Sequence, residues 1–229
     1  MANTNPVVDN AMLVRGLQRQ AELTGVVKVE FIGAVSKGLE GKELAELGDM
    51  AEAGVVAFSD DGHYVENAAF MRRALEYSSM FNKMVIDHAE DITLTKNGHM
   101  HEGIVSYELG VIGRPAVAED LAVARDILLS EMTGGHIHIA HVSSKNTVDM
   151  VRRAKAKGLN VTCEVTSQHL SFTDEYLREY NPAFKMAPPI RSEDHRQALL
   201  EGLKDGTIDA IITDLSLIHI SEPTRHLRI

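Results

Sequence analysis

The stretch HIHIAHVSSKNTVDMVRRAKAKGLNVTCEV (136–165) sets the fold class. His136–Ser143 reads as a strand, Thr147–Lys157 has helical spacing, and Leu159–Val165 reads as a second strand. Strand, helix and strand in succession make a βαβ unit, whose two strands lie parallel in one sheet.

The alternation continues on both sides. Upstream, Val26–Ser36 is β-rich and Gly41–Ala53 helical. Gly54–Asp61 is β, and Glu66–Phe81 is helical with Phe70, Ala74 and Tyr77 on one face. Lys83–His88 is β. A polar stretch follows, and then a helix over Ala118–Met132. Downstream, Ser192–Leu203 is helical and Thr207–Asp214 is β. The opening MANTNP (1–6) reads as the end of a strand running into a loop. Asp9 or Asn10 then caps a helix to about Leu23. Six strands are counted, and a seventh is expected to end just before Met1. The strands are near-continuous Val/Ile/Ala runs, as expected when both faces are covered. No GxGxxG and no Walker A loop follows a strand, which argues against a nucleotide-binding doubly wound sheet. A β/α barrel needs about 250 residues, and this chain has 229. The predicted fold is therefore α/β: a TIM-type β/α barrel over 1–214, incomplete, lacking its first strand and its C-terminal part.

Composition narrows the function. Apolar residues are 44% and charged residues 24% of the chain, the mix of a soluble globular protein and not of a disordered or disulfide-built one. The formal net charge is −10 with no basic run, which argues against nucleic acid or an anionic membrane as partner. No apolar stretch reaches the roughly 20 residues of a membrane span, and no signal peptide opens the chain. The single cysteine, Cys163, fits a reducing cytosol. Eleven histidines in an acidic protein prompt a search for metal ligands.

Four strands end in such residues: Asp61 in AFSDDG, His88 in MVIDHAED, His141 in HIHIAHVSS and Asp214 in AIITD. Alternate residues of a strand share a face. That places Val55, Ala57 and Ser59 with Asp61, and Met84 and Ile86 with His88. It places Ile137 and Ile139 with His141, and Ala210 and Ile212 with Asp214. A barrel carries its active site at the C-terminal rim of its strands. Two imidazoles and two carboxylates meeting there suit a catalytic Zn²⁺ or a two-metal site. His136 and His138 have the opposite parity and are expected on the helix side. His63, His99 and His101 sit in polar loops, where exposure is expected. His169 is left open.

These residues carry a resemblance. MANTNPVVDN (1–10), SKGLEGKELAELGDMAEAGVVAFSDDG (36–62), VIDHAED (85–91), HIHIAHVSS (136–144), VTCEVTSQHL (161–170), KMAPPIRSEDHRQAL (185–199) and DGTIDAIITD (205–214) together resemble the bacterial dihydroorotases of the amidohydrolase superfamily. The resemblance implies reversible hydrolysis of the cyclic amide of dihydroorotate to N-carbamoyl-L-aspartate, in de novo pyrimidine synthesis, with two Zn²⁺ in a complete site. It implies that Asp61 bridges the two ions, that His88 and His141 bind one of them, and that Asp214 is both metal ligand and general base and acid. It implies that Asn3 contacts the substrate carboxylate. Ala187 stands where the family usually has a substrate-contacting Asn. It implies a cytoplasmic enzyme, as a homodimer or in complex with aspartate carbamoyltransferase.

Departures lie at the ends. The His-x-His pair and the Arg of the family's first strand are not in this sequence. After Asp214 the family continues His-Ala-Pro-His, whereas this chain reads LSLIHISEPTR (215–225). That tail reads like a translated transposase-type sequencing adapter, so 215–229 is expected to be non-native and His219 and His226 are not counted as ligands. As written, the chain is expected to be nearly inactive. Hydantoinases and allantoinases typically bridge their metals with a carboxylated lysine. Here the matching strand ends Phe58-Ser59-Asp60-Asp61 with no lysine, which favours dihydroorotase. An inactive subunit that scaffolds aspartate carbamoyltransferase is disfavoured by the retained Asp61, His88, His141 and Asp214.

Overall fold

A computed structural model describes residues 1–214. The chain runs α1 (Ala11–Thr24), β1 (Ile32–Gly33), α2 (Leu47–Glu52), β2 (Ala57–Ser59), α3 (Ala68–Ser79) and β3 (Met84–Asp87). Next come α4 (Ile92–Thr95), β4 (Met100–His101), α5 (Ile104–Leu109) and β5 (Gly113–Arg114). It continues with α6 (Val117–Thr133), β6 (Ile137–Ile139), α7 (Lys145–Ala156), β7 (Val161–Thr166), α8 (Ser167–Ser171), α9 (Glu193–Lys204) and β8 (Ala210–Ile212). Six strands pair in the order β1-β2-β3-β6-β7-β8, every pair parallel. The βαβ alternation read from the sequence is therefore the architecture: a curled, incomplete β/α barrel. The tail from Leu215 on, expected to be foreign to the barrel, lies outside the described residues.

Helices α1, α3 and α7 start where a polar side chain stops the preceding loop. Asn10, one of two candidates, accepts the amide of Leu13 at 3.1 Å and caps α1. Asn67 caps α3 through the amide of Phe70, and Ser144 caps α7 through that of Asn146. Such caps take up amides that the first turn leaves without partners.

The sheet divides its side chains between two environments. Phe58, Val85, Ile137, Ile139, Val161 and Cys163 pack against α3, α6, α7 and α9 in the main core. A smaller cluster of Ala57, Ile86 and Ala140, with Ile32 and Met84 beside it, lies on the opposite, inner face. Parity therefore holds on β2 and β3, apart from Val55, which precedes β2 and joins the helix-side core.

It fails on β6. Ile137 and Ile139 face the helices, and His138 faces inward, paired with Glu164 at 3.2 Å and with Thr162 at 2.7 Å. His136 reaches the same Thr162 hydroxyl at 2.8 Å. The expectation that His136 and His138 point to the helix layer is thus wrong. The strand ends at Ile139, and a turn at Ala140–His141, with His141 at φ +35°, resets the alternation.

Two further boundaries differ. Val26–Ser36 supplies only the two-residue β1, and Gly41–Ala53 only the six-residue α2. The polar stretch after β3 also contains a small parallel ribbon, β4 with β5. It carries His101 inward to 6% exposure, against the expected exposed position.

Candidate metal centre

Beyond the C-terminal ends of β2, β3 and β6, three ligand-type side chains meet. Asp61 Oδ1 lies 3.6 Å from His88 Nδ1 and 3.4 Å from His141 Nε2. The two ring nitrogens are 2.9 Å apart, with the rings edge to face. One ligand atom from each residue falls within 4.8 Å of the others. Asp61 Oδ1 is buried and accepts no hydrogen bond of good geometry. A buried carboxylate oxygen without a donor is costly, and at 3.4 and 3.6 Å neither imidazole gives Asp61 Oδ1 a good hydrogen bond. A divalent cation among the three satisfies all of them, so the residues fit a metal.

Electrostatics agree. Burial raises the Asp61 carboxyl, but His141 and His88 outweigh it and hold Asp61 well below the usual carboxylate range. Burial lowers His141, but Asp61, with help from Asp214 and Glu119, raises it above its ordinary value. A site that stabilises positive charge on an imidazole stabilises it on a cation too.

The other expected site residues lie around this corner. Asp214 follows β8 at φ +50° and lines, with Asp61 and His141, an open cavity of about 530 Å³ on the inner face. It is exposed and is not one of the three converging residues. Desolvation raises its carboxyl, His141 opposes this, and Asp61 adds to it. Asn3 is exposed, and its amide nitrogen is 3.7 Å from where a Cβ on Gly62 would sit, one residue from Asp61. Ala187 is exposed and precedes the cis peptide to Pro188, which lines a small cavity behind the two imidazoles. His169 is buried, bonded to the Thr166 hydroxyl at 2.7 Å and to the Pro188 carbonyl at 3.1 Å. Burial lowers its pKa to about 4.

Glu90, Glu119 and Arg191 line that small cavity and were not singled out in the sequence. Glu90 Oε2 is 4.0 Å from His88 Nε2 and pairs with Arg114 at 3.3 Å. Glu119 reads as an ordinary acid in the first turn of α6, and Arg191 as one letter of the KMAPPIR motif. Each stands next to further polar residues, Asp120 after Glu119 and Ser192 after Arg191, so neither stood out.

By fold, the chain joins the β/α-barrel proteins represented by L-hydantoinase from Arthrobacter aurescens. That structure matches at a TM-score of 0.79 and 24% identity, over 93% of this chain and 49% of that one. A D-hydantoinase matches at 0.69 and 20% identity, over 90% and 47%. The Dihydro-orotase-like family model matches residues 1–147, and the chain belongs to that family. A dihydroorotase of Streptomyces coelicolor is 52% identical over 216 residues, 93% of this chain and 50% of its own length. One of Geobacter sulfurreducens is 48% identical over 222 residues, 97% and 52%. The chain spans about half the length of the curated relatives it matches.

Proposed function

We propose that the chain carries part of the active site of a zinc-dependent dihydroorotase, which hydrolyses the cyclic amide of (S)-dihydroorotate reversibly to N-carbamoyl-L-aspartate, a step of de novo pyrimidine synthesis. The convergence of Asp61, His88 and His141 in a chain of this family carries the reading. These three hold the metal, with Asp214 joining them in a complete two-zinc site. Zinc supplies Lewis acidity there and brings the pKa of a water toward neutrality.

In the hydrolysis the ring C–N bond breaks, a water oxygen bonds to the carbonyl carbon, and a water proton passes to the leaving nitrogen. Asp214 moves that proton: its carboxylate faces the cavity, and its raised pKa suits taking the proton and giving it back. Asn3 binds the substrate carboxylate through its side-chain amide. Ala187 offers only a methyl, so it donates no hydrogen bond. A net charge of −10 opposes an anionic substrate, and the metal's charge offsets that locally. The working assembly is cytoplasmic, a homodimer or a complex with aspartate carbamoyltransferase.

The test is zinc content and hydrolysis together, in a chain extended to the full length of its relatives. Zinc uptake with release of N-carbamoyl-L-aspartate is expected. Zinc uptake with a preference for hydantoins or allantoin would overturn the substrate and keep the metal site. No zinc uptake would overturn both.

A further inference from the structure

We infer that Glu119 is a positioning residue for His141. It clamps the turn that carries the imidazole, and Arg191 holds the clamp. The inference rests on the metal reading of Asp61, His88 and His141.

The turn needs a clamp. His141 leaves β6 two residues after its last paired position, in the left-handed region at φ +35°, which side chains other than glycine rarely adopt. Such a conformation persists only where its surroundings over-determine it. Neighbouring strands fix the first half of the turn. Ala140 donates its amide to the Asp87 carbonyl at 3.1 Å, and Val142 to the Glu164 carbonyl at 2.8 Å. The next two amides have no strand within reach. Ser143 and Ser144 both donate to Glu119 Oε1, at 3.0 and 2.9 Å. The Ser143 hydroxyl donates to Glu119 Oε2.

A buried carboxylate serves here only if its charge is balanced. Burial raises the Glu119 carboxyl, but Arg191 first, and then the Ser143 and Ser144 bonds, hold it below its ordinary value. Arg191 Nη2 is 3.4 Å from Glu119 Oε2, and Arg191 Nε donates to the Ser143 hydroxyl at 2.7 Å. The remaining guanidinium nitrogen, Nη1, lies 3.3 Å from both the Arg114 carbonyl and His101 Nδ1. Every nitrogen of Arg191 is thus engaged, and the ion pair is 3% and 5% exposed. Glu119 touches no ring atom of His141 in these contacts, so it acts through the backbone two residues on.

The test compares Glu119→Ala and Glu119→Gln with the parent chain. A core control, Val151→Ala, loosens α7 seven residues past Ser144, at a core side chain that makes none of the clamp's hydrogen bonds. Two readouts are taken on each: hydrogen exchange of the Ser143 and Ser144 amides without metal, and Co²⁺ affinity from its visible absorption. Glu119→Ala is expected to speed exchange of those two amides at least tenfold and to weaken Co²⁺ binding about 10- to 100-fold, the range for lost supporting contacts at metal sites. Glu119→Gln keeps an acceptor for the two amides and is expected to recover much of the affinity. Val151→Ala, matched for melting temperature, is expected to bind Co²⁺ like the parent.

Exchange at Ser143 and Ser144 unchanged by Glu119→Ala would overturn the clamp. Faster exchange with unchanged Co²⁺ affinity would overturn its role toward His141. An equal affinity loss in Val151→Ala would reduce the effect to general stability, and overturn the inference as well. A parent chain that binds no Co²⁺ overturns the metal reading first, and with it the purpose assigned to Glu119.

Discussion

Replacing Asp61 with Asn probes the charge balance of the site without metal. Asp61 Oδ1 faces His141 Nε2 at 3.4 Å and His88 Nδ1 at 3.6 Å, and the two ring nitrogens are 2.9 Å apart. The carboxylate raises His141, so the positive charge of that imidazole faces Asp61. His141 is raised above 6.5 when folded. A raised group contributes stability that is complete below its unfolded value and lost as pH rises through the folded one. Asp61 is lowered below 3.8. Its contribution is present above that value and lost as pH falls through the folded one. The pair therefore acts in full between about pH 4 and 6.5. Asp61→Asn leaves a buried charged group without its partner, a loss of about 1–3 kcal/mol. For a domain of this size, each kcal/mol shifts the melting temperature by about 2–4 °C. Asp61→Asn should therefore melt about 2–12 °C below the parent at pH 5.5. Toward pH 9, as the raised His141 gives up its proton, the gap should narrow. The assay is thermal melting of both chains in EDTA, followed by circular dichroism at the two pH values. A gap that widens toward pH 9, or a variant more stable than the parent at pH 5.5, would refute the reasoning.

Zinc added at about 100 times its Kd should stabilise the parent by about 2.7 kcal/mol and leave His88→Ala and His141→Ala unmoved; differential scanning calorimetry with and without zinc checks this. In a chain extended to the length of its relatives, Asp214→Asn should lower kcat about 10²- to 10⁴-fold, the contribution of a positioned proton carrier, and steady-state assays of dihydroorotate hydrolysis read it. In the same chain, Asn3→Ala should weaken substrate binding by about 1.5–3 kcal/mol, as a higher KM with kcat nearly kept. Phe58→Ala, at a fully buried position between sheet and helices, should cost about 3–5 kcal/mol in urea unfolding.

Much of this site was legible because β2 and β3 carry their alternation past their ends. Ser59 points inward and so does Asp61; Ile86 points inward and so does His88. Apolar spacing along the chain contains that information. His141 was placed correctly at the rim by the wrong route. Its strand faces the helices through Ile137 and Ile139, and only a left-handed residue at 141 brings the ring back. Period-two counting does not register a single φ. The buried polar layer was invisible for a different reason. Glu119, Arg191 and His101 are 4%, 5% and 6% exposed, yet each stands in a stretch that reads as solvated. They are brought together from positions 101, 119 and 191, and Glu119 finds its backbone partners in a distant turn at Ser143 and Ser144. Charges that far apart along the chain give no local pattern, so only the fold discloses them.

X-ray absorption at the zinc edge, on the metal-loaded chain, tests the central claim most directly. Two imidazole nitrogens at about 2.0–2.1 Å and a carboxylate oxygen at about 2.0–2.2 Å are predicted, with imidazole scattering reduced in both His88→Ala and His141→Ala. A shell containing sulfur at about 2.3 Å, which Cys163 or a methionine would have to supply, or a shell unchanged in both histidine variants, would contradict the account.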